Sequence, residues 1–318
     1  MTVAAGIDCG TNSIRLLVAD VADDGSLTDL TREMTIVRLG QGVDRTGRLA
    51  PEAIERTRTA LAHYRATIDR LGATAVRMVA TSATRDAGNR EDFVAMVRET
   101  LGADPEVISG VEEAELSFGG ALAGLARRAE RPDLDRPDLD LLVVDLGGGS
   151  TELVRGRAGA PDAVRAHSMD VGCVRMTERH LAGDPPTAAQ IAAVEADVRA
   201  ALDAAEADVP LTGADAVVGV AGTVTTVAAI ALDLPRYDPD VLDGAWVTTE
   251  DVAAAADQLL RSTHEQRSAI GAMHPGRVDV IGAGALVLRL VLERTGAPGV
   301  IASEHDILDG ITVSAARR

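Results

Sequence analysis

The sequence predicts an α/β protein built from two like domains with a cleft between them. Three observations carry this. Segments with strand and helix character alternate along nearly the whole chain, the pattern of layered α/β folds. A strand–turn–strand motif occurs twice: Ile7-Asp8-Cys9-Gly10-Thr11-Asn12-Ser13-Ile14-Arg15-Leu16 and Val144-Asp145-Leu146-Gly147-Gly148-Gly149-Ser150-Thr151-Glu152-Leu153 share Asp, Gly, Ser and Leu in register. Between the copies, residues 131–140 read Arg-Pro-Asp-Leu-Asp twice in succession. That stretch has no helical period, and its prolines and aspartates mark an exposed linker.

Each element follows from its own residues. Residues 3–8 and 14–20 are strands around a Gly-Thr-Asn-Ser turn. Pro51 opens a helix whose Ile54, Leu61, Tyr64, Ile68 and Leu71 share one face, and Gly72 ends it. A strand is expected at 75–80, a helix at 91–101 on Phe93, Val94, Val97 and Leu101, and a further helix beginning near Val111. After the linker, Leu141-Leu-Val-Val is a buried strand. Thr187 and Gln190 form a capping box for an Ala-rich helix to about residue 207. Residues 216–220 are then a strand, 223–231 a helix, 278–281 a strand and 284–294 a helix.

Composition narrows the function. The chain has 318 residues, 46% of them apolar and only 2% aromatic. It is therefore globular, with cores resting on Ala, Val, Leu and Ile. No uncharged apolar run approaches the roughly 18 residues of a spanning helix. The N-terminus lacks a basic leader, so neither membrane nor signal peptide is expected, and the compartment is the cytoplasm. Cys9 and Cys173 lack metal-ligand spacing and are expected as reduced thiols. A net charge of −18 argues against nucleic acid. All 31 basic residues are arginine. The absence of lysine excludes a Walker A loop and Schiff-base chemistry, whereas arginine suits bidentate phosphate recognition.

The two turns carry the chemistry. Consecutive small residues let backbone N–H groups converge on an anion, and hydroxyls at Thr11, Ser13, Ser150 and Thr151 can add donors. Either turn alone is equally a plain hairpin; the repetition favours phosphate binding. Asp8, Asp145 and Glu152 lie beside the turns. A carboxylate next to phosphate needs a cation such as Mg²⁺ between them, or else it caps the turn locally. Ala221-Gly222-Thr223 opens a helix whose N-terminus suits an anion, with Thr223 alternatively only its cap. Arg85, in Thr81-Ser82-Ala83-Thr84-Arg85, follows a strand end and can reach a phosphate. Ser109-Gly110-Val111-Glu112-Glu113-Ala114 sets acids at a helix start. They either complement the helix dipole or include a general base, and spacing does not choose between Glu112, Glu113 and Glu115.

Taken together, these motifs resemble the exopolyphosphatase and guanosine-pentaphosphate phosphatase family, within the superfamily of actin, sugar kinases and acetate kinase. The residues concerned are the two hairpins, Ala80-Thr81-Ser82-Ala83-Thr84-Arg85-Asp86-Ala87 and Ile108-Ser109-Gly110-Val111-Glu112-Glu113-Ala114. Gly172-Cys173-Val174-Arg175, Ala221-Gly222-Thr223 and Met273-His274-Pro275-Gly276-Arg277-Val278-Asp279-Val280-Ile281 complete the set. The resemblance implies two actin-like (ribonuclease H-like) domains. These are 1–128, completed by a C-terminal helix at 304–318, and 129–303. It implies Glu113 as catalytic base, Asp145 and Glu152 as metal-associated acids, and Arg85 as a phosphate ligand. Thr11, Asn12, Ser13, Gly148, Gly149, Ser150 and Thr223 are the implied phosphate-binding residues. Thr11 stands where Ser is more usual, and the chain resembles the short, two-domain form, without the extra helical domains that help longer members grip long polymers.

The activity so implied is metal-dependent removal of terminal phosphate from inorganic polyphosphate of short chain length, by a homodimer using Mg²⁺ or Mn²⁺. Arg175 and Arg277 are further candidates for admitting the polyanion. Two alternatives remain open. One is hydrolysis of guanosine pentaphosphate, the stringent-response nucleotide. The other is a non-catalytic alarmone or nucleotide binder, against which the retention of Glu113 beside intact loops weighs. A kinase of the same superfamily usually places an Asp base elsewhere.

Overall fold

A computed structural model describes residues 1–126 and 136–318. The first half of the linker, residues 131–135, lies outside the described residues; its second half leads into a strand from Asp140. The chain divides into two compact units, Met1–Ala123 with Ile307–Arg318, and Gly124–Asp306.

In the first unit, β1 (Thr2–Cys9), β2 (Ser13–Val21) and β3 (Leu27–Ile36) form an antiparallel meander. Short helix α1 (Val43–Thr46) and long helix α2 (Pro51–Leu71) follow. Next come β4 (Ala75–Ala80), α3 (Ser82–Asp86), α4 (Arg90–Leu101), β5 (Glu106–Val107) and α5 (Gly110–Ala126). The sheet runs β3-β2-β1-β4-β5, with β4 parallel to both β1 and β5. Pro51 occupies the first turn of α2 and left-handed Gly72 closes it, as expected of a proline start and glycine stop. α2 and α4 cover one sheet face through Leu61, Tyr64, Ile68, Phe93 and Val97. The opposite face receives α13 (Ile307–Ala316), through Ile307, Leu308, Ile311 and Ala315. Its approach is close: a Cβ on Gly6 of β1 would lie 2.3 Å from Thr312 Oγ1.

The second unit repeats the plan. It contains β6 (Asp140–Leu146), β7 (Thr151–Arg157), β8 (Ala160–Met169), α6 (Cys173–His180), α7 (Ala188–Ala205), β9 (Ala216–Val220) and α8 (Ala221–Ala231). It continues with α9 (Pro239–Leu242), β10 (Trp246–Thr248), α10 (Thr249–Arg261), α11 (His264–Ser268), α12 (Ile281–Thr295) and β11 (Gly299–Ala302). The strand order β10-β11-β9-β6-β7-β8 contains the same five-strand series, β8-β7-β6-β9-β11, with the same parallel and antiparallel pairings. β10 is an added edge strand. Both units therefore carry a ribonuclease H-like sheet. The Thr187–Gln190 capping box opens α7.

The expected strand at 278–281 is not a strand. Pro275–Arg277 form one 3₁₀ turn, and Ile281 begins α12, earlier than the expected 284. The sheet strand of that region is β11, whose four residues are all buried. A short apolar run does not distinguish a buried strand from the start of a buried helix. α12 hides eleven of its fifteen residues, which removes the one-sided period that would have marked it. Likewise α8 begins at Ala221, so Thr223 lies inside its first turn and is not its N-cap.

Candidate active site

The chemistry-bearing residues of the first unit follow the C-terminal ends of its parallel strands, where α/β sheets bind ligands. The 10–13 turn follows β1, α3 follows β4 and α5 follows β5. The turn is closed by Gly10 N–H donating to Ser13 O at 2.9 Å. β4 meets it where Thr81 N–H donates to Cys9 O. The carbonyl of Thr11 accepts from Gly40 N–H, and that of Asn12 from Val37 and Arg38 N–H. Each peptide unit is planar and trans, so these carbonyls turn the following amides, of Asn12 and Ser13, to the opposite side. Thr11 Oγ1 is buried and has no hydrogen-bond partner among the described residues.

Arg85, in α3, donates through Nη1 to Glu113 Oε2 at 3.0 Å and to Ile108 O at 3.1 Å. Glu113 is only 7% exposed. The three neighbouring glutamates thus part company. Glu112 holds the buried Arg77 together with Glu106, and Glu115 is exposed. Only Glu113 pairs with the arginine that the sequence singles out.

In the second unit, Gly147 N–H donates to Ser150 O at 3.0 Å, closing the 147–150 turn as the first turn is closed. The carbonyls of Gly147, Gly148 and Gly149 are all bound from residues 173–175. Among the described residues, the amides of Gly148, Gly149 and Ser150 have no protein acceptor. Ser150 is buried. The Thr151 hydroxyl, expected as a further phosphate donor, instead donates a hydrogen bond to Val171 O at 2.6 Å. Thr223 also turns inward. Its hydroxyl lies beside the Cys173 thiol, and its methyl fills the space over Gly284. Any anion contact there would fall to the backbone of the α8 first turn, where Ala221 holds a left-handed φ of 71°.

The acids of the two hairpins share a register and differ in cross-strand partner. Asp8 is the cross-strand neighbour of Arg15, whose Nε and Nη2 both donate to Asp8 Oδ2, at 3.0 and 2.6 Å. Asp145 is the cross-strand neighbour of Glu152. These two carboxylates are 6% and 1% exposed, and Glu152 Oε1 accepts from Ser168 Oγ. Like charges directly opposed across a sheet repel. A hard divalent cation relieves such a pair, and two carboxylates with water and phosphate oxygens make up a usual Mg²⁺ shell. Among the described residues no group of three His, Cys, Asp or Glu is gathered for a metal. The thiols are poor nucleophiles, because burial raises the pKa of both Cys9 and Cys173.

The Gly172-Cys173-Val174-Arg175 motif does not reveal the roles that Gly172 and Arg175 take, and no motif singles out Arg15. Arg15 was detectable: it occupies the repeat position held by Glu152 in the other copy.

Comparison with known proteins agrees across the chain. A model of the Ppx/GppA phosphatase family matches residues 17–318. The chain is 48% identical to Exopolyphosphatase 2 of Mycobacterium tuberculosis over 328 aligned residues, covering 99% of each. The crystal structure of an exopolyphosphatase-like protein superposes with a TM-score of 0.91 at 46% identity, covering 99% of this chain and 98% of that one. The Aquifex aeolicus Ppx/GppA family member superposes at 0.80, with 30% identity and the same coverage. The chain belongs to the Ppx/GppA phosphatase family.

Proposed function

We propose that this protein is an exopolyphosphatase that hydrolyses the terminal phosphoanhydride of inorganic polyphosphate, preferring short chains, and releases orthophosphate. The observation that carries this reading is the pairing of buried Glu113 with half-buried Arg85 at the C-terminal end of the parallel strands. It joins a carboxylate able to orient water to a guanidinium able to hold a phosphoryl oxygen. The likeness to Exopolyphosphatase 2 over the whole chain supports it independently.

On this reading the turns and helix starts of each unit bind phosphate oxygens. The amides of Gly148, Gly149 and Ser150, those of Asn12 and Ser13, and the Thr11 hydroxyl donate to phosphate oxygens. A buried hydroxyl without a partner costs about 1–3 kcal/mol, a cost that a phosphate oxygen accepting from Thr11 Oγ1 removes. Arg85 donates to the phosphoryl group that is transferred. Glu113 accepts a hydrogen bond from the attacking water and aligns it with the scissile anhydride. Asp145 and Glu152 would hold Mg²⁺ or Mn²⁺, which supplies neutralisation of phosphate charge. Family resemblance further supports a homodimer. No described helix is long and apolar enough to cross a membrane.

The test is orthophosphate release from tripolyphosphate, longer defined chains, long-chain polyphosphate and guanosine pentaphosphate, each with Mg²⁺ or Mn²⁺. The expected result is turnover highest on short polyphosphates. Turnover of guanosine pentaphosphate alone would transfer the same chemistry to the nucleotide, and hydrolysis of none would leave a binding protein.

A further inference from the structure

We infer that Arg175 is a positioning residue: it sets the second phosphate cradle by holding the Gly149 carbonyl, and it does not bind substrate itself. The inference rests on the phosphatase reading above. Three consecutive glycines, 147–149, have wide backbone freedom, so a fixed anion site there needs an external hold. The chain that follows β8 provides it. Gly147 O accepts from Cys173 N–H at 3.0 Å, and Gly148 O from Val174 N–H at 2.9 Å and Arg175 N–H at 3.1 Å. Gly149 O accepts from Arg175 Nε–H at 2.7 Å. With all three carbonyls turned toward the start of α6, planarity points the amides of Gly148, Gly149 and Ser150 the other way.

The first unit uses the same device from the same place in its topology, the chain just after the third strand. There Gly40 N–H takes Thr11 O, and Val37 and Arg38 N–H take Asn12 O. Asn12 is the counterpart of Gly149. Its carbonyl is held by two backbone amides, whereas that of Gly149 is held by a side chain. Each brace contains a glycine at the point of closest approach. A Cβ on Gly40 would lie 2.3 Å from Thr11 Cγ2, and one on Gly172 would lie 2.4 Å from Gly148 O. The guanidinium is largely buried, and its far end faces Asp170 at 3.8 Å.

Two variants separate positioning from direct binding. In Arg175→Gln, the amide nitrogen falls at the position of Arg Nε, so the donor to Gly149 O is kept while the charge is lost. Arg175→Met has similar reach and neither donor nor charge. The measurements are tripolyphosphate affinity by calorimetry and KM, thermal midpoint, and the ¹H–¹⁵N resonance of the Ser150 amide. The expected result is about a fivefold loss of affinity in the Met variant, the size of one neutral hydrogen bond. The Gln variant should stay close to wild type, and the Ser150 resonance should move only in the Met variant. A Gln variant as weak as Met would make the charge the active feature and overturn the inference; so would a Met variant equal to wild type. If wild type neither binds nor hydrolyses polyphosphate, the phosphatase reading fails, while the Ser150 resonance still reports on the brace.

Discussion

Gly172→Ala is the smallest change that should damage the site without touching any group that contacts substrate. A Cβ at Gly172 would lie 2.4 Å from Gly148 O, 2.5 Å from Gly148 C and 2.7 Å from Gly149 C. Carbon and oxygen settle at about 3.3 Å or more, so turn and brace must separate by roughly 1 Å. The obstructing atoms are backbone, and no rotamer change clears them. Overpacking of this kind costs about 1–3 kcal/mol, and each kcal/mol lowers the thermal midpoint by about 2–4 °C in a unit of this size. The catalytic loss should exceed the stability loss in relative terms, because a 1 Å misplacement of aligned groups costs about 100-fold in rate. Steady-state kinetics on tripolyphosphate together with a melting curve measure both. Gly119→Ala is the control: it makes the same chemical change at an exposed position within α5, where a Cβ meets nothing within 4 Å. It should gain about 0.5–1 kcal/mol and keep full activity. A Gly172→Ala protein with wild-type kcat/KM would refute the proposed dependence of the cradle on its brace.

Three further outcomes are expected. Glu152→Gln should abolish the rise in thermal midpoint expected of wild type when Mg²⁺ is added with tripolyphosphate, a stabilisation of about 2.7 kcal/mol when the ligand stands at 100 times its dissociation constant; an unchanged Mg²⁺ response in this variant would place the cation elsewhere. Gly284→Ala should destabilise by about 1–3 kcal/mol, since its Cβ would lie 2.4 Å from Thr223 Cγ2 and 3.1 Å from Cys173 Cβ; denaturant unfolding at wild-type midpoint would contradict the packing described. Glu304, beside the Tyr237 hydroxyl, has its pKa raised, chiefly by burial. The folded state thus holds a proton that the unfolded state releases, and stability falls as pH rises from the usual glutamate range through the raised folded value. Glu304→Gln should remove that slope, and unfolding titrations with the same slope in both proteins would show that Glu304 does not titrate as described.

Much of this was legible in the sequence. The hairpin repeat announced two like sheets, because a buried strand ending at Asp followed by small residues is a local signal. Pro51, Gly72 and the Thr187–Gln190 box marked helix ends through contacts made within a few residues. What was not legible depended on partners distant in sequence. Thr151 looked like a ligand donor until Val171 O proved to accept its hydrogen bond, and Thr223 until Cys173 and Gly284 enclosed it. The choice among Glu112, Glu113 and Glu115 turned on Arg77 and Arg85, each some thirty residues away. The strand expected at 278–281 failed for a different reason: α12 is buried nearly all round, so its apolar residues carry no period that separates helix from strand.

The central claim is that Glu113 directs water at a phosphate chain which other groups hold. Its most direct measurement is orthophosphate release and tripolyphosphate binding in one preparation of Glu113→Gln. The account predicts that turnover falls by about 10²–10⁴-fold, the usual worth of a general base, with affinity at or above that of wild type, since Arg85 loses its internal carboxylate partner. Turnover within a few-fold of wild type, or affinity lost in step with turnover, would contradict it.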